Sequence, residues 1–159
     1  MFFKLNSIAF TALFFVFFWT GYGRTAQVMI NALDLNPGGK DSGKEWVELY
    51  NVAEIDVDLS GWTLETTHGY KVIYKIPEGV IICAGECWIY THDRQWLDNI
   101  DEMVILRDAQ GKEVDRTPLL SDERNDDGYW RRKIRGMDTN SESDWEFKIP
   151  EKIFEGGEG

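Results

Sequence analysis

Beyond residue 26 the chain alternates apolar and polar positions in short runs, each closed by turn residues. In Glu45-Trp46-Val47-Glu48-Leu49-Tyr50-Asn51, Val47 and Leu49 fall on one face and Trp46, Glu48 and Tyr50 on the other. That period of two is the mark of a half-buried strand. Similar runs lie at Gln27 to Leu33, Gly61 to Thr66, Lys71 to Ile76, Gly79 to Cys83, Cys87 to Thr91, Glu102 to Arg107 and Lys112 to Arg116. Two more surround Tyr129 to Lys133 and Trp145 to Ile149. Asn36-Pro37-Gly38-Gly39 closes the first run, Asp58-Leu59-Ser60 leads into the third, and Asp108-Ala109-Gln110-Gly111 reads as a hairpin turn. Pro77 has no N–H for a central ladder and so marks a strand end or an edge. No segment after residue 26 keeps a helical period, and Asp93 to Ile100 has room for a short helical turn at most. Strands at this spacing, parted by polar turns, predict an all-β sandwich or barrel over residues 27–150.

The N-terminus follows a different rule. Lys4 precedes an apolar run from Ile8 to Trp19, shorter than the ~20 residues of a usual bilayer span. A positive start and a short apolar stretch are the pattern of a signal peptide, with Ala26 as the cleavage position. Counted from Leu5 to Tyr22, the same segment reads as a retained membrane anchor with Lys4 held inside. Both readings of residues 1–26 predict an exported protein, extracellular or at the cell surface. Residues 151–159 form an acidic Gly/Glu tail.

Charge narrows the list of partners. The formal net charge is −11; taking Lys4 and Arg24 from the 17 basic residues leaves 15 against 28 acidic ones after the N-terminal segment, a formal −13. Such a surface repels a phosphate backbone and forgoes the counterion release that drives non-specific nucleic-acid binding. Nucleic acid is therefore excluded as a partner. The 43% hydrophobic content, with 14% aromatic, supports a real core rather than a disordered acidic chain.

Candidate chemistry is sparse. Cys83 and Cys87 are the only cysteines and flank a three-residue stretch containing Gly85. Read as a hairpin, this places them either in a short-loop disulfide, which export permits, or as two half-buried packing thiols. Asp122, Asp126 and Asp127, before Gly128, form an oxygen-rich loop with calcium character, and Asp41, Ser42 and Glu45 form another; neither follows the twelve-residue EF-hand pattern. Glu45 and Glu48 are three residues apart on a strand, so they face opposite ways and make no paired-carboxylate site. His68, in Thr66-Thr67-His68-Gly69-Tyr70, and His92, in Tyr90-Thr91-His92-Asp93, read as exposed turn residues and not as the base of a nucleophile pair. A non-catalytic protein without a cofactor is expected, with calcium as the one exception. A metal-dependent module or hydrolase built on the acidic loops is the alternative.

Aromatic and basic residues give the other lead. Trp62 and Trp145 are assigned to the core. Trp46 and Tyr50 share the strand face opposite Val47 and Leu49, and Trp96 lies in a loop-like stretch, so these three rings either pack in the core or at an edge or are candidates for stacking on a sugar or seating a protein. Arg131 and Arg132, within Arg131-Arg132-Lys133-Ile134-Arg135, form a basic run in an acidic chain that either pairs with the preceding acidic loop or presents an anion patch.

The ordered succession of motifs resembles one family. Ile30-Asn31-Ala32 with Asn36-Pro37, the segment Asp41-Ser42-Gly43-Lys44-Glu45-Trp46-Val47-Glu48-Leu49-Tyr50-Asn51, and Asp58-Leu59-Ser60-Gly61-Trp62-Thr63-Leu64 come first. Ile76-Pro77-Glu78-Gly79, Ala84-Gly85, Glu102-Met103-Val104-Ile105-Leu106, Gly111, Val114-Asp115, Trp130-Arg131-Arg132 and Asp144-Trp145 follow in order. Together they are similar to the lamin tail domain, which implies an immunoglobulin-like β-sandwich without chemistry of its own. The chain departs from the family at Ile149-Pro150-Glu151, where a Thr-Pro-Gly tail is common, and it shows neither a heptad-rich rod nor a prenylation box. The resemblance thus implies the exported prokaryotic type. The expected role is a binding or structural module at the cell envelope, taking a protein or an acidic surface polymer, with self-association through an open sheet edge as a further mode.

Overall fold

A computed structural model describes residues 28–150. The signal or anchor segment and the acidic tail lie outside the described residues. Eleven strands are present among those described, with no α-helix. They are β1 (Val28–Asp34), β2 (Trp46–Asn51), β3 (Val57–Asp58), β4 (Thr63–Thr66), β5 (Ile73–Lys75), β6 (Ile81–Ile82), β7 (Cys87–Thr91), β8 (Val104–Arg107), β9 (Glu113–Arg116), β10 (Tyr129–Arg132) and β11 (Trp145–Lys148). A five-stranded antiparallel sheet runs β11-β10-β1-β2-β7, a four-stranded one β5-β4-β8-β9, and β3 pairs with β6. The result is an immunoglobulin-like sandwich, as the strand pattern and the family resemblance imply.

Alternation places the core. In β2, Val47, Leu49 and Asn51 are buried while Trp46, Glu48 and Tyr50 are half-buried on the other face. Leu64 of β4 and Val104 and Leu106 of β8 meet Val47 and Leu49 in one apolar cluster. Val28, Ile30, Leu33 and Leu35 join that cluster although their spacing breaks the period of two. The cause is a register shift in β1 between Ile30 and Ala32, which inserts a residue against β2 and turns the following side chains over. Trp145 lies in the core, and Trp62 packs against it partly exposed.

The turns follow their chemistry. Asp108 to Gly111 closes the β8–β9 hairpin, with the Gly111 amide donating to the Asp108 carbonyl at 2.9 Å and Gly111 at φ 78°. Pro77 falls between β5 and β6, where no ladder asks for its N–H. Residues 93–100 contain no helical turn. They form an irregular loop that carries Trp96 and Leu97 into the core. A 3-10 turn at Glu142–Asp144, capped by Ser141, precedes β11.

The hairpin reading of Cys83 and Cys87 needs correction. Strand β6 pairs with β3 and β7 pairs with β2, so the intervening turn carries the chain from one sheet to another instead of folding two strands together. Both thiols are free. Cys83 is exposed in that turn, and Cys87 stands beside the Arg135 guanidinium on β7, with burial pushing its thiol up. Alkylation of the folded protein without reductant is expected to modify Cys83; a species with both sulfurs blocked until reduction would contradict this arrangement.

Candidate functional site

Across the outer face of the five-stranded sheet runs a groove of about 560 Å³ lined by Asn31, Ala32, Trp46, Glu48, Tyr129, Arg131, Arg132, Lys133 and Arg135. Strand pairing explains its floor. Ala32 of β1 stands between Glu48 of β2 and Arg131 of β10. A methyl at that position leaves room for the large side chains of both neighbours to lean over β1. Trp46 and Tyr129 meet there with ring centroids 5.4 Å apart and planes tilted by 52°.

The rim is cationic. Arg131 forms an ion pair with Glu146 of β11 at 2.7 Å and keeps a half-exposed guanidinium. Arg135 lies over the Tyr50 ring, 4.6 Å from its centroid, and Lys133 donates to the Ser143 carbonyl at 2.7 Å. Glu48 is drawn into the floor by the Asn31 amide at 2.6 Å. Three basic side chains therefore surround an aromatic pair on a protein whose formal charge is −11.

Of the five binding residues read from the sequence, Trp46, Tyr50 and Arg131 share this face. Trp96 does not. It is 3% exposed, and its ring packs edge-on to Tyr90 at 5.1 Å. The loop pattern around it is real, but the Glu45 carboxylate receives the Trp96 and Leu97 amides at 2.6 and 3.0 Å and pulls the loop inward. Arg132 borders the groove but is buried, its side chain 1% exposed. Its head points inward, where Nη2 donates to both Asp115 oxygens at 3.2 Å. Tyr129, Lys133 and Arg135 were not singled out individually, although the basic run and the β10 pattern contained them.

The acidic loops are arranged more closely than their sequence separation suggests. Gly39 and Asn125 exchange two hydrogen bonds, and the Asn36 amide donates to the Asp122 carbonyl at 2.8 Å. Asp122 is buried, Asp126 half-buried and Asp127 exposed, so this loop alone does not gather its three carboxylates. Among the described residues no three acidic, histidine or cysteine side chains stand at metal-ligand spacing. Asp34 and Glu45 are buried beside these loops. Burial pushes both carboxyls up to about 7 against the pull of the Asn36 amide on Asp34 and the Trp96 and Leu97 amides on Glu45. Asp122 and Asp126 raise Asp34 further, and Asp41 and Asp34 raise Glu45.

The sandwich, with an outer sheet face bearing a cationic aromatic groove, places the protein among the immunoglobulin-like domains. The chain matches the Lamin Tail Domain family model over residues 23–119, more than half its length, and belongs to that family. Such domains are commonly binding or structural modules. No curated protein matches the chain. Strand β10 and the segment that follows it, which carry the groove's cations, lie beyond the matched residues.

Proposed function

We propose that this lamin tail domain is an exported, non-catalytic binding module of the cell envelope whose outer sheet face takes an acidic surface polymer. The observation that carries the reading is the groove itself: Arg131, Lys133 and Arg135 beside the Trp46–Tyr129 pair on an otherwise acidic molecule. A cationic rim draws a polyanion through the repulsive field of the rest of the surface, and the exposed faces of the tilted ring pair supply apolar surface for a sugar. Export rests on the positive start and apolar run of the N-terminal segment.

Polygalacturonate is a suitable probe. Titration is expected to show binding that weakens as salt is raised and that quenches tryptophan fluorescence. Arg131→Ala with Arg135→Ala should weaken it about tenfold, on the scale of about 1.4 kcal/mol, and Trp46→Ala should remove part of the quenching. Lack of binding at low salt, or equal binding by these variants, would refute the reading.

A further inference from the structure

Strand β7 reads Cys87-Trp88-Ile89-Tyr90-Thr91, with no charged side chain in a chain that is 28% charged. It ends the five-stranded sheet and pairs with β2 on one side only. The other outer strands are guarded against pairing with a second molecule by charge, shortness or irregularity. β11 carries Glu146 and Lys148, β5 is three residues long and ends at Lys75, and β9 holds Glu113 and Arg116 beside a register shift in its ladder. β7 has no charge, no proline and an unbroken register against β2. Ile89 at its centre is 54% exposed.

The ladder fixes which backbone groups of β7 are free. The Asn51 amide donates to the Glu86 carbonyl at 3.0 Å. Counted along the register from that rung, Trp88 and Tyr90 exchange hydrogen bonds with Leu49 and Val47. Cys87, Ile89 and Thr91 lie at the alternate rungs, so their amides and carbonyls point away from β2. Among the described residues no further strand receives them. The set is centred on Ile89 and is its own complement. A copy turned about Ile89 brings Ile89 to Ile89, Cys87 to Thr91 and Thr91 to Cys87, with every free amide facing a free carbonyl. A turn about Trp88 or Tyr90 would instead run the end of one strand past the end of the other.

We propose that β7 is the contact edge of a homodimer, in which two copies pair these strands antiparallel about a two-fold axis at Ile89. Ile89 then covers Ile89 of the second copy on the outer face, and the apolar surface removed from water adds to the backbone hydrogen bonds. Just beyond the strand ends the same register sets Glu86 opposite His92 of the second copy and Asp93 opposite Gly85, so no like charges meet. That matters for a protein of formal charge −11, whose copies repel one another over most of their surface. The axis stands perpendicular to the sheet, which leaves both outer faces on one side of a single continuous sheet. Two grooves facing the same way would hold one polymer with avidity; that consequence, unlike the pairing itself, rests on the polymer reading above.

Sedimentation of the full chain should show its mass moving from one copy towards two as concentration rises from about 5 µM to about 500 µM, the behaviour of a small edge contact under mass action. Ile89→Lys changes an exposed edge position outside the core and sets two ammonium groups against each other across the axis. It should weaken pairing about tenfold or more. Ile73→Lys alters a 69% exposed isoleucine on the β5 edge and should leave pairing unchanged. That control separates β7 pairing from general apolar association and from contacts through residues 1–26. Hydrogen exchange read by NMR tests the register. The amides of Cys87, Ile89 and Thr91 should gain protection as concentration rises, while those of Trp88 and Tyr90 are protected throughout. A single copy at every concentration would overturn the proposal. So would pairing that survives Ile89→Lys, pairing lost equally in Ile73→Lys, or protection gained without that alternation.

Discussion

Arg132→Met is expected to cost about 3–5 kcal/mol of stability, the range seen when one partner of a buried ion pair is removed. The Arg132 and Asp115 side chains are 1% and 3% exposed. The guanidinium donates to both Asp115 oxygens, through Nε to the Ile30 carbonyl at 2.9 Å, and through Nη1 to Asp138 at 3.0 Å, while its carbon Cζ lies 4.9 Å from the Trp145 ring centre. Asp115 also receives the Ile30 amide at 2.7 Å. The last β1–β10 rung is Ala32–Arg131, so the pair takes over the Ile30 backbone where that ladder ends and joins it to β9 of the other sheet. Burial pushes the Asp115 carboxyl up, and Arg132 and the Ile30 amide oppose it. With arginine gone, that carboxylate must take up a proton or remain as an uncompensated buried charge. Urea denaturation would show the loss as a lower midpoint with an unchanged slope. Lysine would not rescue, because a single ammonium cannot reach Asp115, Asp138 and the Ile30 carbonyl together as the three guanidinium nitrogens do. Arg132→Met with Asp115→Leu should lose less than Arg132→Met alone; what remains is the unpaired Ile30 amide and carbonyl, at about 1–3 kcal/mol. A loss for Arg132→Met under about 1 kcal/mol would show the pair to be effectively surface-like.

The contrast between Arg131 and Arg132 shows how far the sequence could be read. Neighbours on a strand face opposite ways, so one of the two had to point inward. Composition offered no sign of which, because the inward partner, Asp115, is a strand residue on another sheet that looks like any surface aspartate. Trp46 and Tyr50 were legible through their parity with Val47 and Leu49 alone. Parity also set Glu45 on the core side with those two residues. That a carboxylate would be tolerated there was not legible, since the amides it caps, those of Trp96 and Leu97, lie 51 and 52 positions away. The same long-range contact explains the error on Trp96. A polar, aperiodic stretch normally stays at the surface, and this one is drawn in by a charge from a different segment. The strand order was legible mainly through the family resemblance, and the bulge that turns β1 over has no local signal at Asn31. The two acidic loops were read separately, and only folding places them side by side.

Glu102→Ala should be the second most damaging single change outside the apolar core, with a loss of about 3 kcal/mol. Glu102 is fully buried and has no cation beside it. Its Oε1 receives the amides of Thr67, His68 and Met103 at 2.8, 3.2 and 2.9 Å, and Oε2 receives that of Asp98 at 3.1 Å. Its own amide and carbonyl bridge to Leu120 at 2.9 and 2.8 Å. One carboxylate thus replaces the strand partner that residues 67–68 and 98 lack, and fixes both loops to the entrance of β8. Alanine would leave four amides without an acceptor, and a buried amide in that state is penalised more than its hydrogen bond was worth. Glu102→Gln keeps the shape and one oxygen. Its NH2 must face amide hydrogens on one side, so it should lose about half as much and cannot restore the original stability. Hydrogen exchange separates this from a general softening of the core: the amides of Thr67, His68, Asp98 and Met103 should lose protection while those of Val47 and Leu49 change only with global stability. Uniform loss across both sets, or a glutamine variant as stable as the parent, would mean that packing around Glu102, and not its charge-assisted hydrogen bonds, holds the two loops.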